Sequence, residues 1–147
     1  MASVEASTVI RAPLDRVYVL AKDVERFPQF MPDLESVSIL ERLPGGTVTS
    51  WVGVVQGRKI RWIEEDDWDD TRHVCVFRQR SGDFSRYQGS WTFEPLPEGT
   101  RTSLAVDYEL DIPLAGPLLS SLVKVLMRKN CESVLAALKG QLETPSS

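Results

Sequence analysis

The sequence predicts an α+β fold in which a curved antiparallel sheet of about seven strands wraps around one long C-terminal helix. The helix is predicted because an apolar stripe runs from Pro117 to Leu142, and no Pro or Gly interrupts it before Gly140. Such a segment gives a helix of about 25 residues and about 37 Å. The sheet is predicted because residues 36–112 form short runs rich in Val, Thr and aromatic residues, separated by turn signals. A sheet wrapped around a helix leaves room for a cavity between the two.

The first elements are a strand and two short helices. Residues 3–11 alternate loosely between apolar and polar side chains, which predicts a strand. Pro13 then starts a helix over residues 14–22, where apolar side chains return at helical spacing. Asp23 is the predicted N-cap of a second short helix over residues 24–27.

Six further strands follow, joined by short turns. Their predicted ranges are 36–43, 47–56, 59–68, 72–80, 84–94 and 100–112. Turn signals such as Pro44-Gly45-Gly46 separate them. Successive strands with short connections predict an antiparallel meander. The long helix is the last element of the chain.

Alternation along the strands predicts which side chains face the helix. In the last strand the apolar face holds Leu104, Val106, Tyr108, Leu110 and Ile112. In the strand before it, this face holds Tyr87, Gly89, Trp91 and Phe93. In strand 59–68 the shared face is mixed, with Ile60, Trp62, Glu64, Asp66 and Trp68.

Composition predicts one soluble domain over residues 1–143, with 144–147 as a frayed tail. Hydrophobic residues make up 42% of the chain and charged residues 26%, as in ordinary globular proteins. The net charge of -4 gives no basic field, so no nucleic-acid partner is expected. The N-terminus has no signal-peptide pattern and no uncharged segment reaches membrane-spanning length, so we expect a cytoplasmic protein.

Cysteine and histidine usage predicts neither a metal site nor a cofactor. Cys75 and Cys131 stand in a strand and a helix without metal-ligand spacing, and we expect them to be reduced and buried. His73 is the single histidine and lies beside a turn, where a surface position is expected. No Ser, Cys or second His stands in a triad relation to it.

Four segments resemble one known family. They are Val9–Tyr18, Asp23–Pro28, Gly89–Phe93 and Arg128–Glu132. The first two resemble the opening of the START-like, helix-grip (SRPBCC) superfamily, in particular its polyketide cyclase/dehydrase and coenzyme Q-binding branch. The other two resemble the family's penultimate strand and final helix. The resemblance covers the whole chain and implies the helix-grip fold of START domains and birch-pollen allergens, with a ligand cavity between sheet and helix.

Alternation and the resemblance together predict an apolar ligand-binding cavity. Its predicted lining residues are Phe27, Phe30, Trp62, Tyr87, Trp91, Phe93, Tyr108, Leu119, Val123, Leu126, Met127 and Asn130. The alternative is that the aromatic members form ordinary core.

Two polar candidates in that set have alternatives of their own. Tyr87 offers a hydroxyl at the mouth of the cavity, or it packs in the core. Asn130 either recognises a ligand oxygen or ties the helix to the sheet.

The segment Phe27–Pro32 concentrates apolar side chains around two prolines near the expected cavity entrance. It is a candidate lid or a surface for transient membrane contact. The alternative is a connector whose Phe27 and Phe30 plug the core.

Glu64 and Asp66 are the candidate acid/base pair, since two inward carboxyl groups raise each other's pKa. The alternative is a bend in the strand that brings one or both to solvent or to an Arg. In cyclases, the resemblance implies an inward Arg where this chain has Asp66. The nearest basic residue, Arg61, has the opposite parity and is expected to face outward.

The function predicted is binding or carriage of a hydrophobic small molecule, such as a lipid, an isoprenoid quinone or an aromatic polyketide-like compound. The first alternative is a polyketide cyclase or dehydratase that uses Glu64, Asp66 or Tyr87 for proton transfer. The second is a protein-interaction module of the ribosome-associated toxin type. The sequence assigns no oligomeric state.

Overall fold

The computed structural model describes residues 2–110 and 117–143, with side chains from residue 121 onward in the second range. Seven strands are present: β1 (Ala2–Ile10), β2 (Leu34–Leu43), β3 (Gly46–Val55), β4 (Arg58–Asp69), β5 (Val74–Gly82), β6 (Arg86–Leu96) and β7 (Gly99–Glu109). The helices are α1 (Leu14–Lys22), a 3-10 turn (Val24–Arg26), α2 (Phe27–Phe30) and α3 (Pro117–Glu143). The predicted α+β helix-grip fold is confirmed.

All strand pairs are antiparallel, and the sheet order is β1-β7-β6-β5-β4-β3-β2. The strands from β2 to β7 form the predicted meander. The first strand returns to pair with the last, from Ala2 opposite Tyr108 to Ile10 opposite Thr100. The two edges of the sheet are therefore β1 and β2.

One apolar side of α3 packs on the inner face of the sheet. Met127, Cys131 and Leu135 join a cluster with the inward residues of β5–β7. Leu138 and Leu142 join a second cluster with α1 and the segment after it. Leu138 is fully buried, so the C-terminal half of α3 is held firmly between α1 and the sheet.

Several predicted boundaries need correction. The last helix runs from Pro117 to Glu143, close to its predicted length, and Gly140 lies within it. Asp23 does not cap the following turn through its side chain; it lies 3.8 Å from the Arg26 guanidinium instead.

The fifth and sixth strands begin later than predicted. Residues 70–73 form a turn, because the Asp69 carboxylate accepts the backbone N–H groups of Thr71 and Arg72 at 3.0 Å each. The predicted strand positions 84–85 lie in a bend before β6. Ile112 and the predicted tail 144–147 lie outside the described residues.

Both cysteines are unpaired and buried, as predicted, with Cys75 1% and Cys131 2% exposed. Among the described residues, no helix is both long enough and apolar enough to cross a membrane. The described part of the chain also contains no cluster of three or more side chains suited to hold a metal ion.

Candidate functional site

A cavity of about 60 Å³ lies between α3 and the inner face of the sheet. Strands β2 to β7, α2 and α3 contribute to its wall. The lining residues are Phe27, Leu34, Trp51, Trp62, Glu64, Phe77, Tyr87, Trp91, Leu104, Val106, Met127, Asn130, Cys131 and Val134. A buried water needs about 10–15 Å³ measured in this way, so the space suits a few waters. Drug-sized ligands occupy pockets of about 300–1,000 Å³, so a ligand of that size must widen the cavity.

The structure brings half of the predicted site residues to this cavity. They are Phe27, Trp62, Glu64, Tyr87, Trp91, Met127 and Asn130. They come from α2, β4, β6 and α3, which are far apart in sequence. Their role in binding stays a prediction.

The other predicted site residues lie elsewhere. Phe93 is 4% exposed. Its ring stacks on the Trp91 ring and makes a T-shaped contact with the Tyr18 ring. Tyr108 is 3% exposed, and its buried hydroxyl has no hydrogen-bond partner among the described residues. Phe30, Asp66, Val123 and Leu126 do not line the cavity. Leu119 lies in α3, but its side chain is outside the described part of the chain.

Sequence reasoning missed seven of the lining residues. They are Leu34, Trp51, Phe77, Leu104, Val106, Cys131 and Val134. Alternation had placed Leu104 and Val106 on the inward face without relating them to the ligand. Trp51 was detectable only through register, since it stands directly opposite Trp62 on the next strand.

Aromatic rings form most of the cavity wall on the side of the sheet. Trp51 and Trp62 stack with ring centres 5.8 Å apart and planes 6° apart. Tyr87 packs against Trp62 at 5.4 Å and stacks on Phe84 at 4.6 Å. Stacked and tilted ring pairs add stability beyond their buried area, so this wall is ordered in the absence of ligand.

Glu64 and Asp66 are both buried, each with 5% of its surface exposed. The alternative that a bend carries one or both to solvent or to an Arg is therefore wrong. The strand stays paired with β3, which sets Glu64 opposite Thr49 and Asp66 opposite Thr47. The threonine hydroxyls on the same face supply hydrogen bonds that make burial of the carboxyl groups tolerable.

Two indole N–H groups fix the direction of the hydrogen bonds around this pair. The Trp51 Nε1–H donates to Thr49 Oγ1 at 2.7 Å, so the single hydroxyl proton of Thr49 goes to Asp66 Oδ2 at 2.7 Å. Thr47 donates to the same oxygen at 3.1 Å. Asp66 Oδ2 thus accepts two hydroxyl hydrogen bonds from the neighbouring strand.

Glu64 holds its proton more tightly than an exposed carboxyl group does. The Trp62 Nε1–H donates to Glu64 Oε1 at 2.7 Å. The pKa of Glu64 is raised well above its usual value, first by burial and then by the neighbouring Asp66.

Tyr87 and Asn130 present polar groups from opposite walls of the cavity. Neither side chain makes a hydrogen bond with any residue that the structure describes, so no hydrogen bond there ties Asn130 to the sheet. Burial and the nearby Glu64 raise the pKa of the Tyr87 hydroxyl, which therefore remains a donor at neutral pH. Both groups are available to a ligand oxygen.

Cys131 faces the cavity from α3 as well. Burial raises the pKa of its thiol to about 11, so it is protonated at neutral pH and a poor nucleophile.

The segment 27–32 turns its apolar side chains inward. Phe27 is 1% and Met31 2% exposed, while Phe30 is half-buried against the same core. The exposed members are Gln29 and Pro32. This placement matches the core-plug alternative rather than a membrane-facing lid.

Arg61 and His73 lie away from the cavity. Arg61 is exposed, as its parity predicts. His73 is half-buried rather than on the surface, because its ring packs edge-on against Tyr18 at 4.9 Å.

Comparison with known proteins places this architecture in a family. Residues 10–139 match the family model described as polyketide cyclase/dehydrase and lipid transport. The chain belongs to this family. Its fold is similar to the crystal structure of TTHA0849 from Thermus thermophilus, with 43% identity, a TM-score of 0.94, and coverage of 99% of this chain and 100% of that chain. It is also similar to the Zhui aromatase/cyclase from Streptomyces sp. R1128, with 25% identity, a TM-score of 0.87, and coverage of 97% and 93%.

Two named relatives represent different functions within the family. A putative polyketide cyclase from Streptomyces halstedii is 33% identical over 99 residues, which are 65% of this chain and 90% of that protein. The ribosome association toxin RatA from Escherichia coli (strain K12) is 26% identical over 110 residues, or 74% and 69%. The family resemblance predicted from the sequence is confirmed. Because the family is described by polyketide cyclases, dehydrases and lipid transport, the cavity is the candidate functional site.

Proposed function

We propose that the protein binds a hydrophobic small molecule in the cavity between α3 and the sheet, as a carrier without catalysis. The observation that carries the proposal is the cavity wall: six aromatic residues line it together with the polar groups of Glu64, Tyr87 and Asn130. An apolar enclosure with a few convergent polar groups is the usual design of a small-molecule site. A lipid, an isoprenoid quinone or an aromatic polyketide-like compound has matching chemistry.

The driving force is removal of apolar surface from water. Burying about 300 Å² of ligand supplies about 7 kcal/mol before ordering costs, which supports micromolar binding at best. Met127 and Val134 are two of the α3 side chains that border the space, and Met adapts easily to a new shape. Movement of these side chains is the natural way for the cavity to widen.

The test is to fill the cavity from α3. Val134→Phe places a ring in the space, whereas Val125→Phe adds the same ring to the exposed face of the same helix, where Val125 is 49% exposed. We expect quenching of the Trp51 and Trp62 fluorescence by a ubiquinone analogue or a hydroxyanthraquinone to be lost in Val134→Phe and kept in Val125→Phe. Equal binding by both variants would place the ligand elsewhere and refute the proposal.

A cyclase or dehydratase is the second candidate, favoured by the buried Glu64 in the cavity wall, whose pKa is raised well above its usual value by burial and by Asp66. A protonated carboxyl can donate to a ligand carbonyl and take the proton back. Under this candidate, Glu64→Gln and Tyr87→Phe abolish turnover of an aromatic polyketide precursor but leave its binding within about twofold. Turnover unchanged in both variants would exclude it.

The interaction module of the ribosome-associated toxin type is supported by the similarity to RatA. The acidic net charge of -4 does not favour an RNA surface. It therefore ranks third.

A further inference from the structure

We infer that the cavity selects its ligand by charge, taking an apolar aromatic molecule that carries a basic nitrogen and rejecting one of the same shape that carries a carboxylate. This inference rests on the proposed function, because it names the class of ligand for the same cavity. It comes from the Glu64–Asp66 pair and from the composition of the wall around it.

Two carboxyl groups lie together in the interior, each with 5% of its surface exposed. Asp66 accepts hydrogen bonds from the hydroxyls of Thr47 and Thr49. Glu64 lines the cavity directly, and Asp66 lies behind the lining residues.

No Lys, Arg or His in the described part of the chain pairs with these two carboxyl groups. The described lining residues include no Lys, Arg or His. The ion pairs that the structure describes involve Glu35, Glu65, Glu94, Glu143, Asp23 and Asp70, and neither member of the buried pair. The titratable groups that interact with the pair from other elements are Cys75 and Tyr87, whose raised pKa values keep both neutral at pH 7.

Carboxyl groups buried without a basic partner favour a base that enters the cavity, because the base can take a carboxyl proton and pair with the carboxylate left behind, whereas an entering anion finds no counter-charge. The remaining wall suits a cation as well. Trp51, Trp62 and Tyr87 line the cavity, and aromatic rings attract ammonium groups within about 6 Å of the ring centre. The hydroxyl of Tyr87 and the amide of Asn130 are further groups that an amine can engage.

The experiment compares three probes that share one ring system: 2-naphthylmethylamine, 2-naphthylmethanol and 2-naphthoate, titrated by calorimetry at pH 7. We expect the amine to bind at least tenfold more tightly than the alcohol, and the carboxylate at least tenfold more weakly than the alcohol. Equal affinity for amine and alcohol, or tightest binding of the carboxylate, would overturn the charge selection and leave the proposed function in place. Failure of all three probes to bind would overturn both.

The double variant Glu64→Gln/Asp66→Asn removes the charge while keeping the shapes. Its matched control is Glu65→Gln/Asp67→Asn, which makes the same two changes on the opposite face of β4. We expect the amine to fall to the affinity of the alcohol in the first variant and to keep its advantage in the second. An amine preference that survives in the first variant would show that the pair does not set it; the probe order in the unmodified protein tests the inference even if the variant fails to fold.

Discussion

At the scale of single residues, the hydrogen bonds around the buried carboxyl pair are directed by two groups that can only donate, the indole N–H groups of Trp51 and Trp62. An indole N–H has no acceptor role, so Trp51 and Trp62 fix which oxygen receives and which hydroxyl gives a hydrogen bond. The aromatic residues therefore orient the carboxyl groups of the site as well as shaping its wall.

The raised pKa of Glu64 predicts a pH dependence of stability. In the unfolded chain the group has a pKa near 4.5, and in the folded chain a higher one. The folded state therefore binds the proton more tightly, and its advantage is lost as pH rises from 4.5 through the folded pKa, by at most about 1.4 kcal/mol per pH unit.

Glu64→Gln keeps a hydrogen-bond donor toward Asp66 without a titrating proton. We expect the difference between its free energy of unfolding and that of the unmodified protein, measured with urea, to shift in favour of the variant as the pH rises from 5 to 8. Asp70 and Glu143 do not interfere, because their pKa values are lowered and both are ionised throughout this range. Glu65→Gln is the control on the same strand, and a constant difference for Glu64→Gln across the range would contradict the raised pKa.

At the scale of elements, close packing between β5 and β6 requires a glycine. Gly89 faces inward opposite Phe77, and a Cβ at this position would lie 2.6 Å from the Phe77 ring and also meet the backbone oxygen of Ala105. The backbone of Ala105 cannot move aside without breaking the hydrogen bonds between β6 and β7. The Phe77 ring therefore reaches the cavity wall only because residue 89 has no side chain.

We expect Gly89→Ala to lower the free energy of unfolding by about 1–3 kcal/mol, as overpacked cores do. The control is Gly140→Ala in α3, where a new Cβ would meet nothing within 4 Å. That change should raise stability by about 1 kcal/mol, because Ala favours a helix interior over Gly. Urea unfolding of both variants gives the comparison, and a Gly89→Ala protein as stable as the unmodified one would refute the packing argument.

At the scale of the whole molecule, α3 is held unevenly along its length. Its C-terminal half contributes the fully buried Leu138 to the core shared with α1, whereas Leu122 in the earlier part is 52% exposed. The cavity lies beside the middle of the helix, next to Met127 and Asn130. Burial in the core is thus concentrated in the C-terminal half of α3, whereas the cavity borders the middle of the helix.

Leu138→Ala should lower the free energy of unfolding by about 2–5 kcal/mol, since the buried site loses contacts and cannot collapse fully. Leu122→Ala should change it by no more than about 0.5 kcal/mol. Thermal and urea unfolding of the two variants test this contrast. Similar losses of the free energy of unfolding in both variants would show that both parts of α3 contribute equally to the core.

The sequence by itself determined the order of the elements, the meander, the long helix and the inward direction of Trp62, Glu64, Tyr87 and Trp91. These follow from turn residues and from the period of side chains along a strand, which are local properties. Only the tertiary structure decided the depth of each inward residue. Phe93 and Tyr108 share the inward parity yet lie in solid core, because the helices cover different stretches of a curved sheet.

The tertiary structure also decided the chemistry of the carboxyl pair. Trp51, Thr47 and Thr49 reach it through the register between β3 and β4, which brings residues together across strands. Single-strand periodicity carries no information on register. For this reason the sequence placed Glu64 and Asp66 on the correct face, while their burial, their donors and the small volume of the cavity depended on the folded arrangement.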